Sequence, residues 1–211
     1  MTKRTDGPIS RYINRRFSMP ITNFIIRKGL PITPNHISVI SFLLGISSFP
    51  LFVIGHALLA GIIVQISSII DGVDGELARA KRMTSRYGAF FDAMLDRLVD
   101  TFAIIGASIF VFLFLSTDLF SLFICTLALS GSILVSYLHA RTEKEFGKHA
   151  IFFGRMPNIA SRDIRLFLLF LGGITGFVLH FLALIALLSY LYLSIKFLEV
   201  CHFGRAMEGK I

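Results

Sequence analysis

The stretch that decides the fold is residues 57–80, which read ALLAGIIVQISSIIDGVDGELARA. Its first fourteen residues are mostly apolar, as at the start of a membrane-spanning helix, whereas its last ten carry three acids and one Arg. The run Gly88–Leu115 reverses this order, with acidic residues in its first half and apolar residues after them. A charged side chain at membrane depth costs about 2.5–3.5 kcal/mol on insertion scales. Acids in such positions are therefore expected to serve a function.

The whole chain has the composition of a polytopic membrane protein. Of its 211 residues, 55% are hydrophobic and 16% are charged, and the mean hydropathy is +0.75. A soluble domain has about 25% charged residues, and a compact one of this size lacks the interior for so many apolar side chains. Two Cys exclude a disulfide scaffold, and the apolar content excludes a disordered chain. The net charge of +8 is typical of basic cytoplasmic loops that face anionic lipid, so no nucleic-acid partner is expected.

Six spanning helices are predicted, in an all-α fold. The first four are residues 37–54, a helix that begins at 57, residues 88–115 and residues 119–139. The apolar stretch 166–200 is longer than one span needs, so two helices divided at Gly172, Gly173 and Gly176 fit it better. The predicted organisation is an amphipathic juxtamembrane segment over 1–33, a six-helix membrane domain over 34–200 and a cytoplasmic tail over 201–211.

The juxtamembrane segment mixes basic and apolar residues at a spacing of three or four. This pattern predicts an amphipathic helix that lies in the membrane interface, whole or broken near Pro20. Asn35 or Ser38 would cap the helix that follows.

The distribution of basic residues predicts the orientation. The outer loops expected at 55–57, 116–118 and 172–176 contain no Lys or Arg. By the positive-inside rule both termini are then cytoplasmic, in a multi-pass protein of the cell membrane. The acidic stretch faces the cytoplasm in this arrangement.

The acids are spaced so that they share helix faces. At about 100° per residue, Asp71, Asp74, Gly75 and Ala78 lie on one face of the first helix. On the next helix three residues spaced by four share a stripe: Gly88, Asp92 and Asp96. A short basic turn, Lys81–Tyr87, would join the helices as an antiparallel hairpin and bring the two acidic faces together.

Four facing carboxylates need cations to balance them, because like charges at close range repel. Oxygen ligands without His or Cys suit Mg²⁺, Mn²⁺ or Ca²⁺ and not zinc. Four carboxylates can hold two such ions, as in the two-metal arrangement of phosphoryl chemistry. The alternative is a set of salt bridges to Arg79 and Arg97 that only pair the helices. For Asp100, one turn further along, pairing with Arg97 is the favoured reading.

The motif resembles the signature of the CDP-alcohol phosphotransferase family. The matching positions and spacings are Asp71-x2-Asp74-Gly75-x2-Ala78-Arg79-x8-Gly88-x3-Asp92-x3-Asp96. The resemblance implies transfer of a phospho-alcohol from a CDP-alcohol to an acceptor hydroxyl, with release of CMP. It implies two divalent cations, Mg²⁺ or Mn²⁺, ligated by Asp71, Asp74, Asp92 and Asp96. It also implies that Asp96 is the general base. The residues that it implies for nucleotide binding are Asp71, Gly75, Ala78, Arg79 and Gly88.

The acceptor is less well defined by the sequence. A phosphorylated acceptor would need basic side chains beside the metals, and the candidates are Arg141, Lys144, Arg162 and Arg165. The segment from Thr5 to Ser18 resembles that of CDP-inositol inositolphosphotransferases, which make di-inositol phosphate phosphate. Many of those proteins carry a cytidylyltransferase domain, so a fused or separate cytidylyltransferase is an expected partner. Phospholipid synthesis from CDP-diacylglycerol, or its archaeal equivalent, is the alternative within the family.

Two other classes of function fit the sequence less well than an enzyme does. A cation transporter would distribute acids through the membrane depth, whereas these acids crowd one side. A non-catalytic scaffold would not need so long a specified motif. Small residues of the fourth helix suggest a homodimer contact: Ser130, Gly131, Ser132 and Ser136.

Overall fold

The computed structural model describes residues 7–208, and over this range every regular element is helical. The predicted all-α class is therefore confirmed. The α-helices in chain order are α1 Arg15–Arg27, α2 Pro34–Val53, α3 Ala57–Ala80, α4 Arg86–Phe114, α5 Leu119–Phe146, α6 Arg162–Thr175 and α7 Val178–Glu208. A π-helical turn, Ser10–Asn14, leads into α1, and a 3-10 turn, Ala150–Phe152, lies between α5 and α6.

The ends of the predicted segments are partly outside this description. Residues 1–6 of the juxtamembrane segment and 209–211 of the predicted tail are not described. Residues 201–208 continue α7, so the last helix extends beyond the end predicted at residue 200.

Five helices are long and apolar enough to cross a membrane: α2, α3, α4, α5 and residues Val178–Arg205 of α7. Helix α6 has 14 residues, which at 1.5 Å per residue is about 21 Å, short of a hydrocarbon core of about 30 Å. The structure therefore supports a multi-pass membrane protein with five candidate spans, and the sixth span stays a prediction.

Two of the three glycines near the end of α6 allow close packing and do not end the helix. Only Gly176, with φ +79°, ends the helix, whereas Gly172 and Gly173 lie inside it. A β-carbon at Gly173 would lie 2.4 Å from the carbonyl oxygen of Ala57 and 2.9 Å from Cα of Gly61. The predicted division at all three glycines is thus corrected, because Gly173 allows α6 to approach α3 closely and Gly172 allows it to approach α7.

The start of α2 differs from the prediction in one detail. Thr33 is the N-cap, and its side chain accepts a hydrogen bond from the backbone of His36, whose ring accepts one from the backbone of Thr33. Pro34 occupies the first helical position, where its missing N–H costs nothing. Neither Asn35 nor Ser38 caps the helix.

The helices pack so that six helix ends meet at one side of the bundle. Helix α2 packs against both α3 and α4, which contact each other at few positions, and α5 packs against α7. Helix α6 packs on α3 and α7. Short connections at 54–56, 115–118 and 176–177 lie at the opposite side. The side with the ends of α3, α5 and α7 and the starts of α2, α4 and α6 carries the acidic motif.

Helix α1 buries two polar residues and Ile25 against the protein and leaves large apolar residues exposed. Asn14, Ser18 and Thr22 are buried, whereas Phe17 and Phe24 are more than half exposed. A soluble protein shows the reverse arrangement. The helix continues through Pro20 without a break. Its outward apolar face fits contact with lipid, in line with the predicted interfacial helix.

Glu76 of α3 fixes the polar side of α1. Its Oε1 accepts hydrogen bonds from Ser18 Oγ at 2.8 Å and Arg15 Nη1 at 3.1 Å. Its Oε2 accepts one from Thr22 Oγ1 at 2.7 Å. The side chain of Glu76 is 8% exposed, so this is a buried, fully paired carboxylate that joins the juxtamembrane helix to the membrane helices.

The small residues of α5 that suggested a dimer contact are used inside the chain. Ser130 Oγ lies 3.0 Å from the hydroxyl of Tyr190 on α7, and a β-carbon at Gly131 would lie 3.2 Å from the ring of Tyr190. Ser136 Oγ accepts a hydrogen bond from Arg97. These contacts explain the small residues without a second copy of the chain, and the homodimer stays a prediction.

Replacing Glu76 by Ala should destabilise the protein by about 3–5 kcal/mol, since it removes the buried carboxylate that accepts hydrogen bonds from Arg15, Ser18 and Thr22. The measurement is the thermal midpoint of the helical circular-dichroism signal in detergent. Glu145→Ala is the matched control, because Glu145 pairs with Arg141 at 3.0 Å on an exposed surface; it should change stability by less than about 1 kcal/mol. Equal midpoints for the two variants would contradict the role given to Glu76.

Candidate active site

The site lies where three helices meet. The second half of α3 carries Asp71 and Asp74, the first half of α4 carries Asp92 and Asp96, and the first turn of α6 carries Arg162. All these positions are helical, so the spacing of three and four residues aims the acids to one face of each helix.

Three of the acids come together. Asp71, Asp74 and Asp92 each offer a carboxylate oxygen, and these oxygens lie within 4.8 Å of one another. This group, hereafter the aspartate trio, confirms that the two acidic faces meet. The connection between the helices is residues 81–85, slightly shorter than the predicted turn.

The aspartate trio fits a divalent cation. It offers oxygen donors alone, the ligand set that Mg²⁺ and Mn²⁺ prefer. Asp71 Oδ1 is buried and makes no hydrogen bond among the described residues. A buried carboxylate oxygen without a partner is costly, and a bound cation would remove that cost. A metal ion would thus be held by Asp71, Asp74 and Asp92.

The fourth predicted ligand, Asp96, is engaged differently. Its Oδ1 lies 3.0 Å from Arg162 Nη2. Arg162 Nη1 lies 2.7 Å from Asp71 Oδ2, and its Nε lies 3.0 Å from Asp100 Oδ1. One guanidinium therefore bridges three aspartates from two helices, and its side chain is 15% exposed.

Asp100 is paired more fully than the sequence indicated. The predicted pairing with Arg97 is present, at 3.5 Å. Arg165 Nη2 is closer, at 2.9 Å from Asp100 Oδ2, and Arg162 binds the other oxygen. With 3% of the residue exposed, Asp100 is a buried carboxylate that binds α4 to the first turn of α6.

Ser38 is a functional candidate that sequence reasoning missed. Its hydroxyl donates a hydrogen bond of 2.6 Å to Asp74 Oδ2, and both residues are buried. The sequence suggested Ser38 only as a helix cap. No local signal identifies it, because the contact depends on how α2 packs against α3.

The residues predicted to hold the nucleotide lie on the same two helices. A β-carbon at Gly75 would lie 3.3 Å from Arg79 Nη1, so a larger residue there would require the end of the Arg79 side chain to shift. The backbone N–H of Gly88 donates to Ser85 Oγ, the N-cap of α4, at 2.9 Å. Ala78 is partly exposed on α3. Half-exposed small residues beside the trio leave the backbone accessible to a ligand.

The four basic residues proposed for an acceptor are not all in one place. Arg162 and Arg165 meet at Asp100, and Arg165 is buried, with a second hydrogen bond to the carbonyl oxygen of Ala160. Arg141 and Lys144 lie on an exposed part of α5, where Arg141 pairs with Glu145. Of the four, only Arg162 contacts the acids of the motif.

The segment that leads into α6 is held by α7. Lys196 is fully buried, and its Nζ donates to the carbonyl oxygen of Phe153 at 2.8 Å. Glu199 pairs with Lys196 at 2.7 Å and accepts a hydrogen bond from the backbone of Arg155 at 2.7 Å. These contacts fix the chain between α5 and α6 and thereby the position of Arg162.

His149 adds a second attachment for the same segment. Its ring stacks on His139 of α5 with the ring centroids 4.3 Å apart, and the Tyr192 hydroxyl lies 3.4 Å from His139 Nε2. Burial lowers the pKa of His149. A ring that is neutral at neutral pH can stack there without charge repulsion.

Comparison with known families decides the assignment of the chain. A family model described as CDP-alcohol phosphatidyltransferase matches residues 31–195, which include the whole acidic motif and the start of α6. The chain belongs to this family.

Relatives within the CDP-alcohol phosphatidyltransferase family include two kinds of protein. One from Thermococcus kodakarensis, named bifunctional IPC transferase and DIPP synthase, is 38% identical over 174 residues, covering 77% of this chain and 36% of the relative. One from Pyrococcus horikoshii, named archaetidylinositol phosphate synthase, is 32% identical over 163 residues, covering 77% of this chain and 80% of the relative. The chain spans less than half the length of the bifunctional relatives that it matches.

Solved structures of Mycobacterium tuberculosis phosphatidylinositol phosphate synthase share the fold. The structure with CDP-DAG bound has a TM-score of 0.73 at 21% identity, covering 88% of this chain and 94% of that one. Another structure of the same mycobacterial protein contains manganese and citrate. At this identity the likeness concerns the arrangement of the helices.

Replacing Ser38 by Ala should weaken Mn²⁺ binding by about 10–100-fold, since the lost hydroxyl orients a carboxylate ligand. Titration of the substrate-free protein with Mn²⁺, followed by electron paramagnetic resonance, measures this. Ser41→Ala is the control, because Ser41 Oγ bonds only the carbonyl oxygen of Ser38 on the same helix. Unchanged Mn²⁺ affinity in the Ser38 variant would refute its role.

Proposed function

We propose that the chain catalyses metal-dependent transfer of a phospho-alcohol from a CDP-alcohol to an acceptor hydroxyl, with release of CMP. The observation that carries the proposal is the aspartate trio with Asp96 beside it, inside the matched region of the family. The reaction exchanges one phosphate ester oxygen for another, so it needs charge neutralisation, alignment and a proton acceptor. The site offers side chains for each of these needs.

The four acids of the motif are proposed to hold two divalent cations, Mg²⁺ or Mn²⁺. Asp71, Asp74 and Asp92 would be ligands of one ion, and Asp96 would join them for the second. When bound, the ions would neutralise the pyrophosphate of the donor and align it. The mycobacterial structure with manganese supports this choice of metal.

The remaining roles fall to side chains of α3 and α4. Asp96 is proposed as the general base that accepts the proton of the acceptor hydroxyl at a carboxylate oxygen. Arg79 would bind a phosphate oxygen of the CDP group, with Asp71 contributing to nucleotide binding. Gly75, Ala78 and Gly88 would let the nucleotide approach the helices closely, as their small size and partial exposure suggest.

The substrates proposed first are CDP-inositol and inositol phosphate, giving di-inositol phosphate phosphate. The name of the Thermococcus kodakarensis relative supports this choice, as does the resemblance of the segment from Thr5 to Ser18. Arg162 is the basic residue best placed to meet an acceptor phosphate, and Arg141, Lys144 and Arg165 complete the proposed acceptor set. A fused or separate cytidylyltransferase would supply the CDP-alcohol.

Phospholipid synthesis is the second candidate, with CDP-diacylglycerol or an archaeal equivalent as donor. The acceptor would be glycerol phosphate or inositol phosphate. A specific observation favours it: the archaetidylinositol phosphate synthase relative is matched over 80% of its own length. The exposed Phe17 and Phe24 of α1 also present an apolar surface at the side of the bundle that carries the site.

The membrane arrangement is proposed to follow the charge pattern. Residues 34–200 form the membrane catalytic domain, with six spans if the bilayer is thinned around α6. Both termini and the active site face the cytoplasm, and the protein is a homodimer in the cell membrane. A cation transporter is disfavoured, because the motif acids gather at one side of the bundle instead of following a path through it.

The experiment that tests the function is CMP release by the purified protein with Mg²⁺ or Mn²⁺. CDP-inositol and CDP-diacylglycerol serve as donors, each with inositol phosphate and with glycerol phosphate. CMP from CDP-inositol plus inositol phosphate supports the first candidate, and CMP only with the lipid donor supports the second. No CMP from any pair, in protein that binds Mn²⁺, would overturn both substrate assignments.

Asp96→Asn should lower the rate of CMP release by about 10²–10⁴-fold, because an amide cannot accept the proton. Binding of Mn²⁺ to the aspartate trio should be largely unchanged. The control is Asp118→Asn at the opposite side of the bundle, where Asp118 caps α5 and Asn caps equally well. Retained turnover in the Asp96 variant would remove Asp96 from the role of base.

A further inference from the structure

Arg162 occupies a position among acids that the motif alone does not explain. All three nitrogens of its guanidinium contact carboxylates: Asp71 at 2.7 Å, Asp96 at 3.0 Å and Asp100 at 3.0 Å. It sits in the first turn of α6, where the helix dipole disfavours a cation. The carboxylates therefore hold it there, and it supplies a positive charge to the acid cluster.

The two carboxylate oxygens of Asp71 have different surroundings. Oδ2 is bound by Arg162, whereas Oδ1 is buried and makes no hydrogen bond among the described residues. One divalent cation can bind at the aspartate trio through Oδ1 while Arg162 stays in place. A second cation that uses Asp96 and Oδ2 of Asp71 needs the oxygens that Arg162 now holds.

Arg162 can leave without exposing an unpaired buried acid. Asp100 keeps Arg165 at 2.9 Å and Arg97 at 3.5 Å. Asp71 and Asp96 would exchange the guanidinium for a metal ion. The charges also favour exchange, since two divalent cations balance four carboxylates without a further positive charge.

We infer that Arg162 is the resident counter-ion of the acid cluster and that the second divalent cation binds by displacing it. The inference rests on the two-cation part of the proposed function. Arg162 is then a positioning residue that holds Asp71 and Asp96 in place for metal binding. It also competes with the second cation for their oxygens.

The test is Mn²⁺ binding to the full chain in detergent, without substrates. Electron paramagnetic resonance counts the free ions and detects the spin-coupled signal of two neighbouring bound ions. Arg162→Gln should tighten the second ion relative to the first by about tenfold or more, because a unit charge is removed next to its ligands. Arg97→Gln is the control, because Arg97 pairs with Asp100 among the acids of the cluster. It should leave the ratio of the two dissociation constants unchanged.

A second variant keeps the test decisive if Arg162→Gln does not fold. Arg162→Lys retains the charge but cannot contact three carboxylates, and it should tighten the second ion by a smaller factor in the same direction. An unchanged ratio in the variant of Arg162 that folds would overturn the inference and leave the two-cation proposal intact. Binding of one ion to the wild type and to every variant would overturn both.

Discussion

Repulsion among closely placed carboxylates is the constraint on which the rest of this structure depends. Asp71, Asp74, Asp92, Asp96 and Asp100 lie on two helices that barely contact each other. Such a group persists inside a helix bundle only if cations or bound protons offset the repulsion. Two arginines on the first turn of α6 supply positive charge there, and the aspartate trio is the part that we propose binds metal ions. The main structural role of the short helix α6 is thus to place these two arginines against the acids.

Several packing features follow from that arrangement. Gly172 and Gly173 let α6 lie close to α3 and α7, which brings its first turn beside the acids of α3 and α4. Lys196 and Glu199 hold the chain that precedes α6 from the other direction. Helix α2 separates α3 from α4 while lending the hydroxyl of Ser38 to Asp74. Helices α3 and α4 therefore contact each other at few positions, although their acids meet in the aspartate trio.

The sequence predicted what depends on local periodicity. The helical spacing of the motif placed Asp71, Asp74 and Asp92 on facing surfaces, and the Arg97–Asp100 pair followed from their separation by three residues. It could not predict contacts made across the fold: Arg162 meets Asp71 from 91 positions away, and Ser38 meets Asp74 from 36. The number of spans also depends on contacts across the fold: the structure supports five candidate spans, and the sixth stays a prediction. Composition alone marks an apolar stretch, whereas the left-handed backbone of Gly176 ends α6 and the close packing of that helix uses Gly172 and Gly173 inside it.

The inverted polarity of α1 has a consequence for the order of assembly during synthesis. Asn14 finds its partner in Ser68, 54 residues later, and Ser18 finds Glu76, 58 residues later. Until α3 has been made, the polar side of this early segment has nothing to bind except water and lipid headgroups. Residues 10–27 of the nascent chain would therefore lie at the membrane surface until α2 and α3 have been inserted. Docking of α1 to the membrane helices therefore follows the synthesis of α3.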